Sequence, residues 1–163
     1  MTTIRPITQR DRDAILTINA GSMPGVSALD SEYYDLLLRE CELFHAIEVD
    51  GRVAGYVCAM NRDATYDGDE FLWFQRYFRE TFLYIDQIAI SRSDRGTGLG
   101  RALYDYLKTH AVQKGMGHLT CEVNHEPMNA ASQAFHRQLG FEEVGRMETR
   151  GIVVSLLAKS GLS

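Results

Sequence analysis

Six residues, Arg95-Gly96-Thr97-Gly98-Leu99-Gly100, limit what this chain can fold into more than any others. They follow a nearly continuous apolar run from Phe82 to Ile90 and precede an amphipathic stretch through Leu103, Leu107 and Ala111 to Gly115. The run reads as a central strand covered on both faces, and the spacing after it reads as a helix. Glycines between the two permit backbone conformations barred to other residues and let a ligand approach closely. The first amides of a helix lack partners within it, and the helix dipole favours negative charge there. Strand, glycine turn and helix start together make an anion site, to which Arg95 adds a cation and for which a pyrophosphate is the natural occupant. A tight connection with no ligand is the competing reading of the turn taken alone. The G-x-G-x-x-G of a Rossmann site and its acidic ribose partner are missing, and no Gly-Lys-Ser/Thr follows as in a Walker loop.

Around this turn the pattern is that of one domain spanning 1–163, with no internal repeat or linker. Ile4 to Ile7 reads as an opening strand, and Thr8 as the N-cap of a helix carrying Ile15, Leu16 and Ile18. Gly21-Ser22-Met23-Pro24-Gly25 stops that helix, and Ser27 or Asp30 opens a second with Tyr33, Leu36, Leu37 and Leu38 on its apolar side. Leu43 to Val49 and Val53 to Met60 flank Asp50-Gly51, a strong hairpin signal. Residues 61–81 are the least regular. Their aromatic residues, Phe71, Trp73, Phe74, Tyr77 and Phe78, read as local core or as a cap over a cleft. Leu119 to Asn124 is a strand and Asn129 to Leu139 a helix ended by Gly140. Phe141 to Gly145 and Ile152 to Leu157 complete the sheet.

Composition narrows the function classes. With 45% hydrophobic and 24% charged residues the chain has a globular make-up, and no run approaches the roughly 18 apolar residues of a membrane span. Met1 to Pro6 lacks the apolar core of a signal peptide, so a cytoplasmic location is expected. A net charge of −5 argues against a nucleic-acid partner and suits a cationic acceptor. Cys41, Cys58 and Cys121 are widely spaced, as are His45, His110 and His118. Neither set has the close spacing of a disulfide framework or a metal site, so reduced thiols and no metal are expected.

Ile90-x-x-x-x-Arg95-x-x-Gly98-x-Gly100 resembles the signature of the GNAT superfamily of N-acetyltransferases. Downstream, Asn129-x-x-Ser132-x-x-Phe135-His136-x-x-x-Gly140-Phe141 resembles its second signature, in the family's order and at its separation. The resemblance covers nearly the whole chain. It implies an α/β (α+β) fold with a central mixed, largely antiparallel sheet and helices on both faces. It implies that the strands of Ile90 and Val123 splay apart to form a coenzyme A cleft. Acetyl-CoA would be the cosubstrate. Main-chain groups of Ile88, Ala89 and Ile90 would pair with the pantetheine arm, and Asn129 would bond near it. The amides of Arg95, Gly96, Thr97, Gly98, Leu99, Gly100 and Arg101 would hold the pyrophosphate. Transfer would go directly to a primary amine of a small molecule or peptide. Relatives commonly dimerise, and no sequence feature requires a homodimer here.

Acyl transfer to an amine needs a base, a donor for the oxyanion and a departing thiolate. The family places a Tyr on the second-signature helix to help the thiolate leave, and this chain has His136. An imidazole can serve as acid or base, or can simply pack. Glu122 is the first candidate base, because relatives that modify protein N-termini resemble it there with a catalytic Glu. Asp86 is the second, since a carboxylate inside an apolar strand needs a partner and gains a raised pKa from desolvation. The two carboxylates either form an acidic socket for an ammonium, or one pairs with an Arg while the other is solvated. Tyr84, Asn124 and Trp73 are candidates for touching the acceptor. Two rival functions are a non-catalytic acyl-CoA-binding domain, suggested by the missing Tyr, and an interaction module docking through Phe71 to Phe78.

Overall fold

A computed structural model describes residues 1–162. The fold is mixed α/β, with seven strands and five α-helices among the described residues. The chain divides into two compact units, one of Met1–Met60 with Ile85–Tyr106, the other of Asn61–Tyr84 with residues from Leu107 onward.

In the first unit the strand order is β1 (Thr2–Pro6), β2 (Leu43–Val49), β3 (Arg52–Asn61) and the later part of β4 (Phe82–Ile90). β1 pairs antiparallel with β2, and β2 with β3. Pro6 falls at the end of an outer strand, where a missing N–H breaks no ladder. Asp50 and Gly51 both take positive φ, +51° and +79°, the pairing a two-residue hairpin turn requires. Helix α1 spans Arg12–Ala20 and starts later than the Thr8 cap suggests, because Gln9–Asp11 form a separate 3-10 turn. There the Asp11 carboxylate accepts the Thr8 amide at 2.7 Å and a fork from Arg5 at 2.7 and 2.9 Å. Helix α2 spans Ser31–Glu40, and the Asp30 side chain accepts from the Tyr33 amide at 2.8 Å, so Asp30 rather than Ser27 is its cap. Ile15, Leu37, Ile47 and Val57 are fully buried between these elements.

The second unit starts with helix α3 (Asp69–Tyr77), a helix where the sequence pattern is irregular. Phe71 and Phe74 are buried on one stripe, and Phe78 just past the helix continues that spacing. Trp73 and Tyr77 stack on the neighbouring stripe with centroids 4.7 Å apart. Two superposed helical stripes read in sequence as no period at all. The strand order is the start of β4, then β5 (His118–Glu126), β7 (Ile152–Ser160) and β6 (Glu142–Thr149). β4 and β5 run parallel through Phe82↔His118 to Tyr84↔Thr120, and β5–β7 and β6–β7 are antiparallel. Helix α4 (Leu99–Gln113) contributes its later turns here, and α5 (Ala130–Gln138) follows β5. β4 itself is covered on both faces only from Phe82 to Ile85. From Asp86 onward it alternates, with Gln87 and Ala89 buried and Asp86, Ile88 and Ile90 half-buried.

Candidate active site

The glycine turn lies in the first unit. β4 ends at Ile90, a 3-10 turn covers Arg92–Asp94, and Gly96 and Gly98 follow at φ +77° and +89°. A Cβ built on either glycine would meet nothing within 4 Å, so this stretch of backbone is open. The first rung of α4 is the Ala102 amide on the Gly98 carbonyl at 3.0 Å. The amides of Leu99, Gly100 and Arg101 therefore fall in the first turn, where no intrahelical carbonyl reaches them. Open glycine backbone followed by a helix start is a fit for a pyrophosphate.

Five side chains brace the turn. Asp94 is buried and accepts both Arg52 nitrogens, at 2.7 and 2.9 Å, together with the Ser91 hydroxyl. The Arg52 fork, and after it Ser91, hold its carboxyl far below the usual carboxylate range. The Thr97 hydroxyl donates to the Asp94 carbonyl. Arg95, the cation of the turn, is anchored through neutral acceptors: Nε donates to the Ile90 carbonyl at 3.1 Å, and Nη2 to the Gly21 carbonyl and Ser22 Oγ at 3.1 and 3.2 Å. Arg52 and Asp94 are 42 residues apart, a pairing that sequence spacing does not signal.

The loop between α1 and α2 is fixed from beneath by a buried polar cluster. Asn19 Nδ2 shares its two N–H groups among the Ser27 carbonyl, Tyr56 Oη and Gln87 Oε1 at 2.8, 3.1 and 3.2 Å, while Asn19 Oδ1 accepts the Leu29 amide at 3.0 Å. Tyr56 donates to Gln87 Oε1 at 2.7 Å, and Gln87 Nε2 to the Ser27 carbonyl at 2.9 Å. Asp86, one residue before Gln87, accepts the Tyr33 hydroxyl from α2. Main-chain atoms of Ala89 press on β3, where a Cβ at Gly55 would fall 2.7 Å from the Ala89 carbonyl oxygen.

In the second unit Tyr84, 2% exposed, donates its phenol to Glu122 Oε2 at 2.8 Å. The Glu122 side chain is half-buried on β5. Each carboxylate singled out in the sequence thus accepts from a tyrosine, Asp86 from Tyr33 and Glu122 from Tyr84, a partner type that neither sequence reading supplied. Asn129 caps α5, its side-chain oxygen accepting the Ser132 amide at 3.2 Å. The Asn124 carbonyl, one turn earlier, accepts the Asn129 amide at 3.1 Å and Gln133 Nε2 at 3.3 Å. His136 is buried, with Nδ1 2.7 Å from the Ser132 carbonyl oxygen. A carbonyl only accepts, so Nδ1 carries the proton and Nε2 of the neutral ring does not. Burial lowers its pKa below the usual histidine value. Its ring meets Phe141 edge-on at 5.4 Å. Trp73 packs as well as stacks, since a Cβ at Gly145 would lie 2.6 Å from its ring. Among the described residues no group of His, Cys, Asp and Glu side chains is arranged to hold a metal, and no helix is long and apolar enough to cross a membrane.

A family model described as the acetyltransferase (GNAT) family matches residues 13–141. A curated relative, streptothricin acetyltransferase of Streptomyces lavendulae, is 31% identical over 102 residues, which is 63% of this chain and 45% of that protein. The chain therefore matches less than half the length of that relative. Among solved structures, Ard1 from Thermoplasma volcanium superposes with a TM-score of 0.78 at 19% identity, over 98% of this chain and 97% of its own. The yncA protein from Salmonella typhimurium, solved with its cofactor acetyl-CoA, gives 0.70 at 21% identity, over 98% and 94%.

Proposed function

The chain belongs to the GNAT family of acetyltransferases, and from that premise we propose that it moves an acetyl group from acetyl-CoA directly to a primary amine. The observation that carries the reading is the open backbone of Gly96 and Gly98 ahead of a 15-residue helix. The amides from Arg95 to Arg101 would hold the pyrophosphate and the main chain of Ile88 to Ile90 the pantetheine arm. The side-chain NH2 of Asn129 is available to the arm, since its oxygen is spent on the cap. The family match runs through segments of both units, which supports treating residues 1–163 as one acyltransferase domain.

Glu122 is the base of this scheme. It takes a proton from the acceptor ammonium. The freed nitrogen attacks the thioester carbon, the C–N bond forms, the C–S bond breaks, and the second proton that the nitrogen sheds passes through solvent to the departing thiolate, so that coenzyme A leaves as the thiol. Tyr84 holds one oxygen of Glu122 while this happens. The proton on His136 Nδ1 is committed to a carbonyl, which supports a packing role for that ring over a proton donor to sulfur. Asp86, held by Tyr33, is the second carboxylate of the scheme. The Glu122 carboxylate favours a cationic acceptor, and the name of the curated relative puts streptothricin first on the panel to try. Tyr84 and Asn124 remain the residues assigned to acceptor contact, whereas the packing of Trp73 argues for a supporting part.

The test is acetyl-CoA binding by calorimetry, followed in the same preparation by thiol release against streptothricin, spermidine, free amino acids and peptide N-termini. Binding with release on one amine class supports the proposal and names the acceptor class. Absence of acetyl-CoA binding would end it.

A further inference from the structure

The β6–β7 turn carries a residue that this chemistry has not used. Arg150 and Gly151 take φ of +51° and +78°, the left-handed pair of a two-residue turn. Gly151 adopts its value without penalty, but a residue with a β-carbon is disfavoured there, and Asn or Asp are the commoner side-chain-bearing occupants. The β2–β3 turn follows that preference with Asp50. An unfavourable conformation of this kind persists where the surroundings fix it, and it is a reason to ask what the side chain does.

The Arg150 guanidinium is half exposed and donates to both oxygens of Glu70, at 3.1 and 2.9 Å, and to Thr149 Oγ1 at 3.3 Å. Thr149 in turn donates to Asp69 at 3.0 Å, so two adjacent residues of the hairpin grip the first turn of α3. Glu70 is itself buried, at 4% exposure. The aromatic residues that follow it on α3 complete the path: Phe71 meets the Tyr84 ring edge-on at 5.5 Å, and Phe74 lies 6.0 Å from the same ring. Tyr84 then donates to Glu122. Electrostatics run along the same line. The hydrogen-bonded Glu70 does most to strengthen the hold of Arg150 on its proton, and the charge of Glu122 adds to it.

We propose that Arg150 is a positioning residue for Glu122, its fixed positive charge acting on that carboxylate while its grip on Glu70 seats α3 behind Tyr84. The proposal deepens the reading of Glu122 as the base and rests on it, but it needs no identified acceptor. Tyr84 from β4 donates to Glu122 directly, while Arg150 from the β6–β7 turn is held by Glu70, next to Asp69 on α3, and senses the charge of Glu122. Arg150 is the cation that the first turn of α3 holds. Without it, the carboxylates of α3 would disfavour the charged form of Glu122 that a base needs.

The experiment is a carbon-detected NMR titration of the Glu122 side-chain carboxyl in the intact protein, assigned by its disappearance in Glu122→Gln. Arg150→Gln is expected to raise the titration midpoint by about half a pH unit, whereas Arg150→Lys leaves it within a few tenths, about the spread between a kept and a lost charge at a part-exposed site. Glu70→Gln is expected to lower it, since the field of Arg150 is then unopposed. A role confined to packing would move Gln and Lys alike and would not give shifts of opposite sign. Equal midpoints in Arg150→Gln, Arg150→Lys and wild type, with near-ultraviolet dichroism unchanged, would overturn the proposal. If Arg150→Gln fails to fold, Arg150→Gly relieves the turn and carries the same expected rise. Full turnover in Glu122→Gln would remove the base assignment while leaving the coupling read by the titration in place.

Discussion

The glycine turn of the first unit and the Tyr84–Glu122 region of the second are built from different materials. The turn presents main chain: two glycines at positive φ and the first amides of α4, braced by Asp94, Arg52 and Arg95. The other region presents side chains, a phenol, a carboxylate and a guanidinium from elements far apart in the sequence. A main-chain site tolerates almost any side chain that does not fill it, but fails where the backbone cannot take the required shape. A side-chain site keeps its shape through most substitutions and loses its chemistry with one functional group.

The largest expected effect breaks the main-chain half. Gly98→Glu puts a β-carbon at φ +89° and a negative charge where a pyrophosphate would sit, so acetyl-CoA binding should vanish from the calorimetric trace; unchanged affinity would refute the turn as the site. Glu122→Gln breaks the other half. It should cut turnover by about 100-fold with acetyl-CoA affinity within two-fold, the scale of a lost general base. Equal loss of both would erase the distinction between the two regions.

Smaller effects sharpen the comparison. Asn19→Ala strips donors and an acceptor from a buried cluster, and urea unfolding should show a loss of about 2–3 kcal/mol. Burial lowers the pKa of His118 and His136 from 6.5. Their neutral forms therefore stabilise the fold above about pH 6.5, and that contribution should drain away as the pH falls below it. Asp11, brought down to about 2 chiefly by Arg5, works in a lower window. Its contribution of about 1–2 kcal/mol holds above about pH 4 and is lost as the pH falls toward 2. Thermal melts of wild type and His136→Asn at pH 7 and pH 5 read the histidine window, melts of wild type and Asp11→Asn at about pH 5 and pH 2 read the lower one, and a wild-type melting point that is flat from pH 7 to pH 5 would contradict the histidine assignment.

The same difference in materials decides what could be read beforehand. The turn was legible because glycine spacing, an apolar strand and an amphipathic helix are local patterns, and so were the Asp50-Gly51 hairpin and the Gly140 helix stop. α3 was not, because its core stripe and its Trp73–Tyr77 stripe overlap in sequence. Glu122 and Tyr84 were both singled out, but not as partners, since the parallel β4–β5 register that pairs Tyr84 with Thr120 has no local signature. Arg52, Asp94 and Arg150 were missed for a related reason. Nothing about an arginine next to Gly51 or Gly151 says which distant carboxylate it will meet. Arg95 was legible for its charge, but not for its bonds to the Ile90 and Gly21 carbonyls and to Ser22, which leave that charge in place.

The Asn19 cluster has a consequence for the time scale on which the α1–α2 loop opens. Leu29 lies outside regular structure, yet its amide is bonded to a side chain that is 3% exposed, and Leu29 itself is 8% exposed. Loop amides ordinarily exchange with solvent deuterium through local fluctuation. This one can exchange only when the contacts of Asn19 with Ser27, Tyr56 and Gln87 give way together, so its proton should persist alongside those of β3 and β4, long after its loop neighbours have exchanged.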